Sequence, residues 1–548
     1  MTYPQIVEYN EAIQHPAQAF TDPELKQGTV KENTLGLPLA LSGGFALTYT
    51  VTTPRRKCAV RCFHREIPAL EQKYSAIAGK LKSAANGYFV DFDFQRAGIK
   101  IRQNAYPIVR MDWIEGDPLG VWLDKNIGNN QVENLRKQFF DLAGYLERLG
   151  IAHGDIQNGN VILGGSKLYL IDYDGMYVPG MKTGAGSETG HKHFQHPDRG
   201  PDDFGPTMDR FSFIVVDLSL RAVAGEPPLY RKFREGGETI IFKANDFADP
   251  SQSEIFRLLE NRTDLKKDIT NFAAICAAPI ERVPSLEDFL AGKNIPAAPP
   301  IVIASKPKPS AQPAAYISAF AVIDARDFET ALRHVGDRVE LVGQIVELKD
   351  GVGQRGRGRG KPYVFVNFSH WKGSAVKLSI WSEGLQQLRE KPSPSWVGRW
   401  VSVTGLVDAP YTSRRYHYTH VGITVEQEGQ INQITETEAL YRLKSLGKAQ
   451  QPRNRRILED IIPVASGANR KAGATPIIIP SARPKAVSRP LTGNQAIAQR
   501  FSPAPASSPN SGSQPAYSVP TKSKHSTGIP GWVWVVLGII VLIILANH

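Results

Sequence analysis

The sequence predicts an α+β bilobal fold over residues 30–294, then a small all-β barrel and a single C-terminal membrane-spanning helix. Three observations predict it. Strand-like segments precede helical ones in the first 295 or so residues, and five alternating segments follow a Pro/Ala-rich spacer. The chain then closes on an uninterrupted apolar run, Ile529 to Ala546.

Leu47–Val51 and Cys58–Phe63 alternate around a turn at Thr53-Pro54-Arg55-Arg56, as strands do. Helical spacing follows over Ile67 to Leu81, with Leu70, Tyr74, Ile77, Ala78 and Leu81 on one stripe. Tyr88–Phe94 and Ala105–Trp113 are again strand-like. Val132–Leu149 and Asp209–Ala224 are helical, so a sheet-rich lobe precedes a larger helical lobe. The boundaries expected are an N-terminal extension at 1–29, the bilobal domain at 30–294, a spacer at 295–315, a barrel at 316–443, a basic tether at 444–528 and a membrane helix at 529–547.

The formal net charge is +12, from 65 Lys/Arg against 53 Asp/Glu. Between Lys444 and Lys524 there are 13 Lys/Arg and two acids, so this stretch supplies 11 of the 12 charges. A chain-wide electrostatic case for nucleic acid therefore fails. The three cysteines, Cys58, Cys62 and Cys276, form no CxxC pair, which argues against a disulfide scaffold or structural zinc site. The N-terminus carries no secretory pattern. The 18 residues from Ile529 to Ala546 would span about 27 Å as a helix, against a hydrocarbon core of about 30 Å. Trp532 and Trp534 fall at an interfacial position, and Lys522 and Lys524 favour keeping the N-terminal bulk cytoplasmic.

The chemistry concentrates in Ile151-Ala-His-Gly-Asp-Ile-Gln-Asn-Gly-Asn-Val-Ile-Leu163 and Leu168-Tyr-Leu-Ile-Asp-Tyr-Asp-Gly175. An Asp and an Asn stand five apart in a loop, and an apolar strand ends in another Asp. Phosphoryl transfer needs a carboxylate to orient the incoming hydroxyl and oxygen ligands to hold Mg²⁺. Asp155 suits the first role, and Asn160 with Asp172 the second; Asp174 is the other candidate for the metal.

These motifs, His153-Gly154-Asp155…Asn160 and Asp172-Tyr173-Asp174-Gly175, resemble the catalytic loop and metal-binding segment of the protein-kinase superfamily. Leu41-Ser-Gly-Gly-Phe-Ala-Leu-Thr-Tyr49 is similar to its glycine-rich phosphate loop, and Met111-Asp-Trp-Ile-Glu-Gly116 to its adenine-reading hinge. Phe194-Gln-His-Pro-Asp198, Asp209-Arg-Phe-Ser-Phe213 and Arg282-Val-Pro-Ser285 fall, in order, where the activation segment closes, the buried helix starts and the domain ends. The resemblance spans roughly residues 30 to 292. It implies a Ser/Thr-type kinase with ATP and Mg²⁺ as cofactors and protein substrates. In that reading Asp155 and Asn160 are catalytic, Asn160 and Asp172 bind metal, and Ser42, Gly43, Gly44, Phe45, Arg61, Lys57, Glu71, Asp112 and Ile114 bind ATP. The alternative it leaves open is a nucleotide-binding pseudokinase or signalling scaffold.

The sequence departs from the family at one position above all. Arg61 stands where the phosphate-clamping lysine is expected, and its planar fork bonds differently from an ammonium. Lys57, four residues earlier on the same strand face, is a second candidate clamp. Glu71 is the expected carboxylate partner, with Glu66 next. His153 is read as a prop for the loop, and His191, His193 and His196 as parts of a solvated activation segment. Thr183, Ser187 and Thr189 are candidate autophosphorylation sites in that segment.

In the second domain, Phe328–Gly336 reads as a short helix. Five strands are expected at 338–347, 363–368, 376–381, 400–407 and 420–426. Val335-Gly-Asp-Arg-Val-Glu-Leu-Val-Gly-Gln-Ile-Val346 and its echo Val397–Val407 resemble OB-fold proteins. Tyr363, Phe365, Phe368 and Trp371 alternate as core residues would, and residues 317–443 hold 16 Lys/Arg against 14 Asp/Glu. Protein docking or a structural role is therefore expected ahead of nucleic-acid binding. The apolar C-terminal run implies a single-pass membrane anchor.

Overall fold

A computed structural model of the chain describes residues 3–446, apart from 33–35, 43–45, 66–68, 84–86, 129, 185, 187, 235–236, 298–314, 354–358 and 414–417. The tether from 447 onward and the expected membrane helix at 529–547 lie outside the described residues. Among the described residues, no helix is long and apolar enough to cross a membrane.

The first lobe is an antiparallel sheet. Its strands are β1 (Thr29–Val30), β2 (Ala40–Ser42), β3 (Ala46–Thr52), β4 (Lys57–Phe63), β5 (Phe92–Ile101) and β6 (Asn104–Asp112). They run in the order β1-β3-β4-β6-β5, with β2 paired to β3. Alternation along β4 decides what each face does. Cys58, Val60 and Cys62 enter an apolar cluster with Tyr49, Val51 and Ile108. Ala59 and Arg61 face the opposite way and line a cleft.

Residues 3–29 are part of this lobe. Helices α1 (Ile6–Ile13) and α2 (Pro16–Ala19) bury Tyr9, Ile13 and Ala19 in the same cluster as Cys58 and Val60. The Tyr9 hydroxyl donates to the Phe63 carbonyl at 2.6 Å.

Helix α3 (Leu70–Ser83) contributes buried Leu70, Tyr74 and Ile77, as its spacing predicts. The strand expected at 88–94 starts at Phe92 instead. Phe89 forms an isolated parallel bridge with Leu170, and Leu170 donates its N–H to Tyr88. This tertiary pairing takes those residues away from the sheet.

The second lobe is built on two helices, α5 (Gln131–Leu149) and α6 (Arg210–Gly225). Val132, Leu135, Phe139, Leu142 and Leu146 give α5 one apolar face. Helix α6 is buried on every side, Phe211 to Leu220 without a break. Around it close α4 (Leu119–Asn126), α7 (Pro228–Phe233), α8 (Ala244–Ala248), α9 (Glu254–Glu260), α10 (Lys266–Cys276) and α11 (Leu286–Ala291). A small sheet of β7 (Asp117–Pro118), β8 (Val161–Gly164) and β9 (Lys167–Leu170) flanks the loop at 153–160.

The second unit holds β10 (Ala321–Asp324), α12 (Phe328–Arg333), β11 (Arg338–Gln344), β12 (Glu347–Val352), β13 (Pro362–Asn367), β14 (Ser374–Ile380), α13 (Ser382–Gln387), β15 (Trp400–Leu406), β16 (Tyr411–Ser413), β17 (Tyr418–Thr424), β18 (Ile431–Ile434) and α14 (Glu436–Leu443). Strands β12, β13, β14 and β17 pair in that order, with β14 and β17 parallel. A bridge between Val407 and Ile423 joins β17 to the end of β15, which runs antiparallel to β11. The ring encloses Val339, Leu341, Val366, Leu378, Val401, Val403 and Ile423.

Three of the four expectations about aromatics change here; Trp371 is only half-buried and lies outside the apolar cluster of this unit. Phe368 is a core residue, but Tyr363 and Phe365 alternate out of register with the inward Val364 and Val366. They form an outer-face cluster with Trp381, with the Tyr363 and Phe365 ring centroids 4.9 Å apart. Counting aromatics along a strand cannot say which parity faces inward; the neighbouring valines settle it.

Candidate active site

A cleft of about 1710 Å³ lies between the lobes and is walled on one side by the barrel. Leu41, Thr48, Ala59, Arg61, Asp112, Ile114, Asp155, Asn160, Asp172, Asp174 and Glu188 all line it. The residues singled out at 155, 160 and 172 therefore converge, although β8 and β9 separate them in sequence.

Asp155 is held at both carboxylate oxygens. Oδ1 accepts the His191 backbone N–H at 2.7 Å. Oδ2 accepts Asn160 Nδ2 at 2.8 Å and Gln157 Nε2 at 2.9 Å. Asn160 Nδ2 also bonds the Asp155 carbonyl at 3.0 Å, so the five-residue spacing closes a compact loop.

Asp209, at the start of α6, accepts the backbone N–H groups of His153 and Gly154, the latter at 2.8 Å. This anchors the loop from below. Gly154 adopts φ 83°, and a Cβ there would lie 2.3 Å from the Gly175 carbonyl. Only glycine fits that turn. His153 is fully buried with Nε2 2.9 Å from the Ile171 carbonyl, which fits a propping role.

Asp172 adopts φ 67°, a left-handed conformation that costs a non-glycine residue energy and turns its carboxylate to the cleft. Arg61 ion-pairs with both Asp172 and Asp174, the second at 2.6 Å. The two carboxylates differ in access: the Asp172 side chain is 33% exposed and that of Asp174 only 6%. Asp174 also accepts the Tyr74 hydroxyl, and its carbonyl accepts the Lys73 ammonium. Burial works against both carboxylates; the Arg61 guanidinium still holds Asp172 below its ordinary range, whereas Asp174 is pushed up.

Several ATP-site expectations change. Glu71 does not meet Arg61; it is half exposed and pairs with Arg96 at 3.4 Å. The register of α3 turns Lys73 and Tyr74 toward the site, and Arg61 finds its carboxylates in the Asp172–Asp174 segment instead. Lys57 bonds Glu115 at 2.8 Å and sits 4.4 Å from the Trp113 ring centroid. It lies about 13 Å along β4 from Arg61, too far to share its partners.

Asp112 lines the cleft, but its carboxylate binds Arg56 at 2.6 Å and its N–H donates to Asp91 at 3.0 Å. Ile114 lines the cleft beside it. Ser42 ends β2 opposite Leu47, so the expected phosphate loop connects β2 and β3; Gly43, Gly44 and Phe45 lie outside the described residues, as do Glu66 and Ser187.

The histidines are not a solvated group. His191, His193 and His196 are all at least nine-tenths buried. His193 Nδ1 accepts the Ala244 N–H at 3.1 Å, and His196 Nε2 lies 3.1 Å from the Ile275 carbonyl. They tie the segment to α8 and α10. Glu188 was not anticipated. Burial and the carboxylates of Asp174 and Asp172 push it well above its ordinary range. Lys73, Tyr74 and Gln157 were missed as well, and only the fold of α3 over the Asp172–Asp174 segment reveals the first two.

The donor set suits a hard cation: Asp172 and Asn160 offer oxygen ligands beside the cleft. Among the described residues no group of three or more His, Cys, Asp or Glu forms a metal site by itself. Arg61 Nε is buried without a partner among the described residues, an orphan donor at the cleft.

No family model matches the chain, and no curated protein matches it. The chain is distantly similar in structure to a crystal structure of a kinase domain, at 15% identity and a TM-score of 0.27. That similarity covers 35% of this chain and 64% of the other.

Proposed function

We propose that the first unit is an ATP-dependent protein kinase of the Ser/Thr type, transferring the γ-phosphoryl group to protein hydroxyls. One observation carries it: Asp155, Asn160 and Asp172 line one cleft with the buried cation Arg61 between the lobes. Asp155, held at both oxygens, would accept the proton of an incoming hydroxyl in this reading. Asn160 and Asp172 would hold Mg²⁺, which neutralises developing phosphate charge when bound. Arg61 supplies the positive charge a lysine gives elsewhere. Ile114 and its neighbours offer backbone groups for an adenine edge.

The test is transfer of labelled phosphate from Mg-ATP, with Asp155→Ala and Asp172→Ala as controls. Labelling that survives both substitutions would sink the catalytic assignment. A second reading, a nucleotide-binding pseudokinase or scaffold, is favoured by one contact. Arg61 is tied to two carboxylates at once, and Glu71 is elsewhere. Mg-ATP binding without transfer across a broad substrate panel would select it.

The remainder of the chain completes the reading. The strand order and the parallel β14–β17 pair support an OB-like barrel. We assign it a docking role ahead of nucleic-acid binding, because it packs against the first unit and its charge is nearly balanced. The apolar run at 529–546 supports a single-pass anchor, with the folded units on the cytoplasmic side where ATP is available and signalling substrates can be met.

A further inference from the structure

The catalytic carboxylate is connected to the barrel through an unbroken run of contacts. Asp155 Oδ1 takes the backbone N–H of His191 at 2.7 Å. The His191 ring accepts the His193 N–H at Nδ1, at 3.3 Å, so its proton sits on Nε2. Nε2 then donates to Glu238 Oε2 at 3.0 Å. The other oxygen of Glu238 accepts Arg338 Nη2 at 2.7 Å, and Arg338 is the first residue of β11 in the barrel. Phe320, also from the second unit, fills the corner: its ring lies 5.7 Å from that of His191 and 5.1 Å from the Arg338 guanidinium.

The segment has little freedom to find another position. Gly190 adopts φ 71°, and a Cβ there would lie 2.5 Å from the Gly154 carbonyl and 3.1 Å from Asp155 Oδ1. The backbone is thus pressed onto the catalytic loop, and the His191 ring is its anchor. Without Arg338, Glu238 would be a largely buried carboxylate short of its cation. It would turn to water or take a proton; the first withdraws the acceptor that holds His191, and the second leaves a neutral, weaker one.

We propose that Arg338 is a positioning residue for Asp155, so that the barrel is a working part of the active site in the first unit. The activity arm rests on the phosphoryl-transfer reading; the structural arm does not. Three full-chain variants test it: Arg338→Ala, Arg338→Lys, and Arg389→Ala. The last removes a separate contact between the units, to Asp124 at 3.6 Å.

Hydrogen exchange across residues 188–195 should accelerate about tenfold or more in Arg338→Ala, recover at least in part in Arg338→Lys, and stay unchanged in Arg389→Ala. With Mg-ATP, kcat should fall about tenfold in Arg338→Ala while KM for ATP stays within about twofold. Unchanged exchange in Arg338→Ala overturns the proposal. Equal acceleration in Arg389→Ala also overturns it, because simple undocking would then explain the effect. Should exchange respond as expected while the wild-type chain transfers no phosphate, the coupling stands and the kinase reading fails.

Discussion

At the scale of single residues, Arg61 decides the character of the site. A lysine would present one compact charge; Arg61 forks, and each arm takes a different carboxylate of the Asp172–Asp174 segment. Arg61→Ala should lower phosphoryl transfer about a hundredfold or more, in line with removal of a preorganised charge contact. Arg61→Lys should retain a measurable part of the rate, because the charge remains while the second arm is lost. Glu71→Ala should change the rate less than about twofold, since an exposed pair such as Glu71–Arg96 contributes little. Steady-state kinetics on the three variants checks this, and a Glu71→Ala loss as large as that of Arg61→Ala would restore the helix carboxylate to the site.

At the scale of elements, the loop that carries Asp155 depends on two supports, Asp209 at the head of α6 and the left-handed turn at Gly154. Gly154→Ala should lower the melting temperature and the rate together, because its methyl group would collide with the Gly175 carbonyl. A variant with wild-type melting and full activity would show that the turn relaxes freely.

The barrel carries a different element-level strain. Burial pushes Asp408 up to about 6, and burial with the Asp408 charge pushes Glu426 up to about 7. A carboxylate raised above its unfolded value near 4 binds more protons folded than unfolded between those values, so stability falls as pH rises across them. Asp408→Asn, which keeps an oxygen for the Thr424 hydroxyl, should therefore raise the calorimetric melting temperature more at pH 8 than at pH 5. The reverse order would contradict the assignment.

At the scale of the whole molecule, the barrel and the first unit share a cleft, while the chain beyond residue 446 carries most of the net charge and the one long apolar run. A chain ending at residue 446 should keep its labelling activity in solution and lose its sedimentation with membranes. Flotation on a lipid gradient, before and after truncation, reads this directly. Persistent flotation of the shortened chain would place the membrane contact in the folded units.

Much of the architecture was legible in the sequence because it rests on local pattern. The β3 and β4 alternation, the α5 stripe and four of the five strands expected in the second unit are set by which residues are apolar at period 2 or 3.6, and the structure forms each of them; the fifth, expected at 338–347, ends at Gln344 and gives way to a second strand at Glu347. The Asp155–Asn160 pairing is local as well: five residues of loop bring the amide to the carboxylate.

What tertiary structure alone decided is which distant groups meet. Residue spacing cannot tell that Arg61 would turn from Glu71 to Asp174, a pairing 113 positions apart. Nor can it tell that three histidines would be buried, that Tyr363 and Phe365 would face outward, or that Arg338 would bond the Glu238 carboxylate that also meets the His191 ring. Local pattern determines an element and its apolar face; partners across the fold depend on how those faces pack, and no short-range period encodes that.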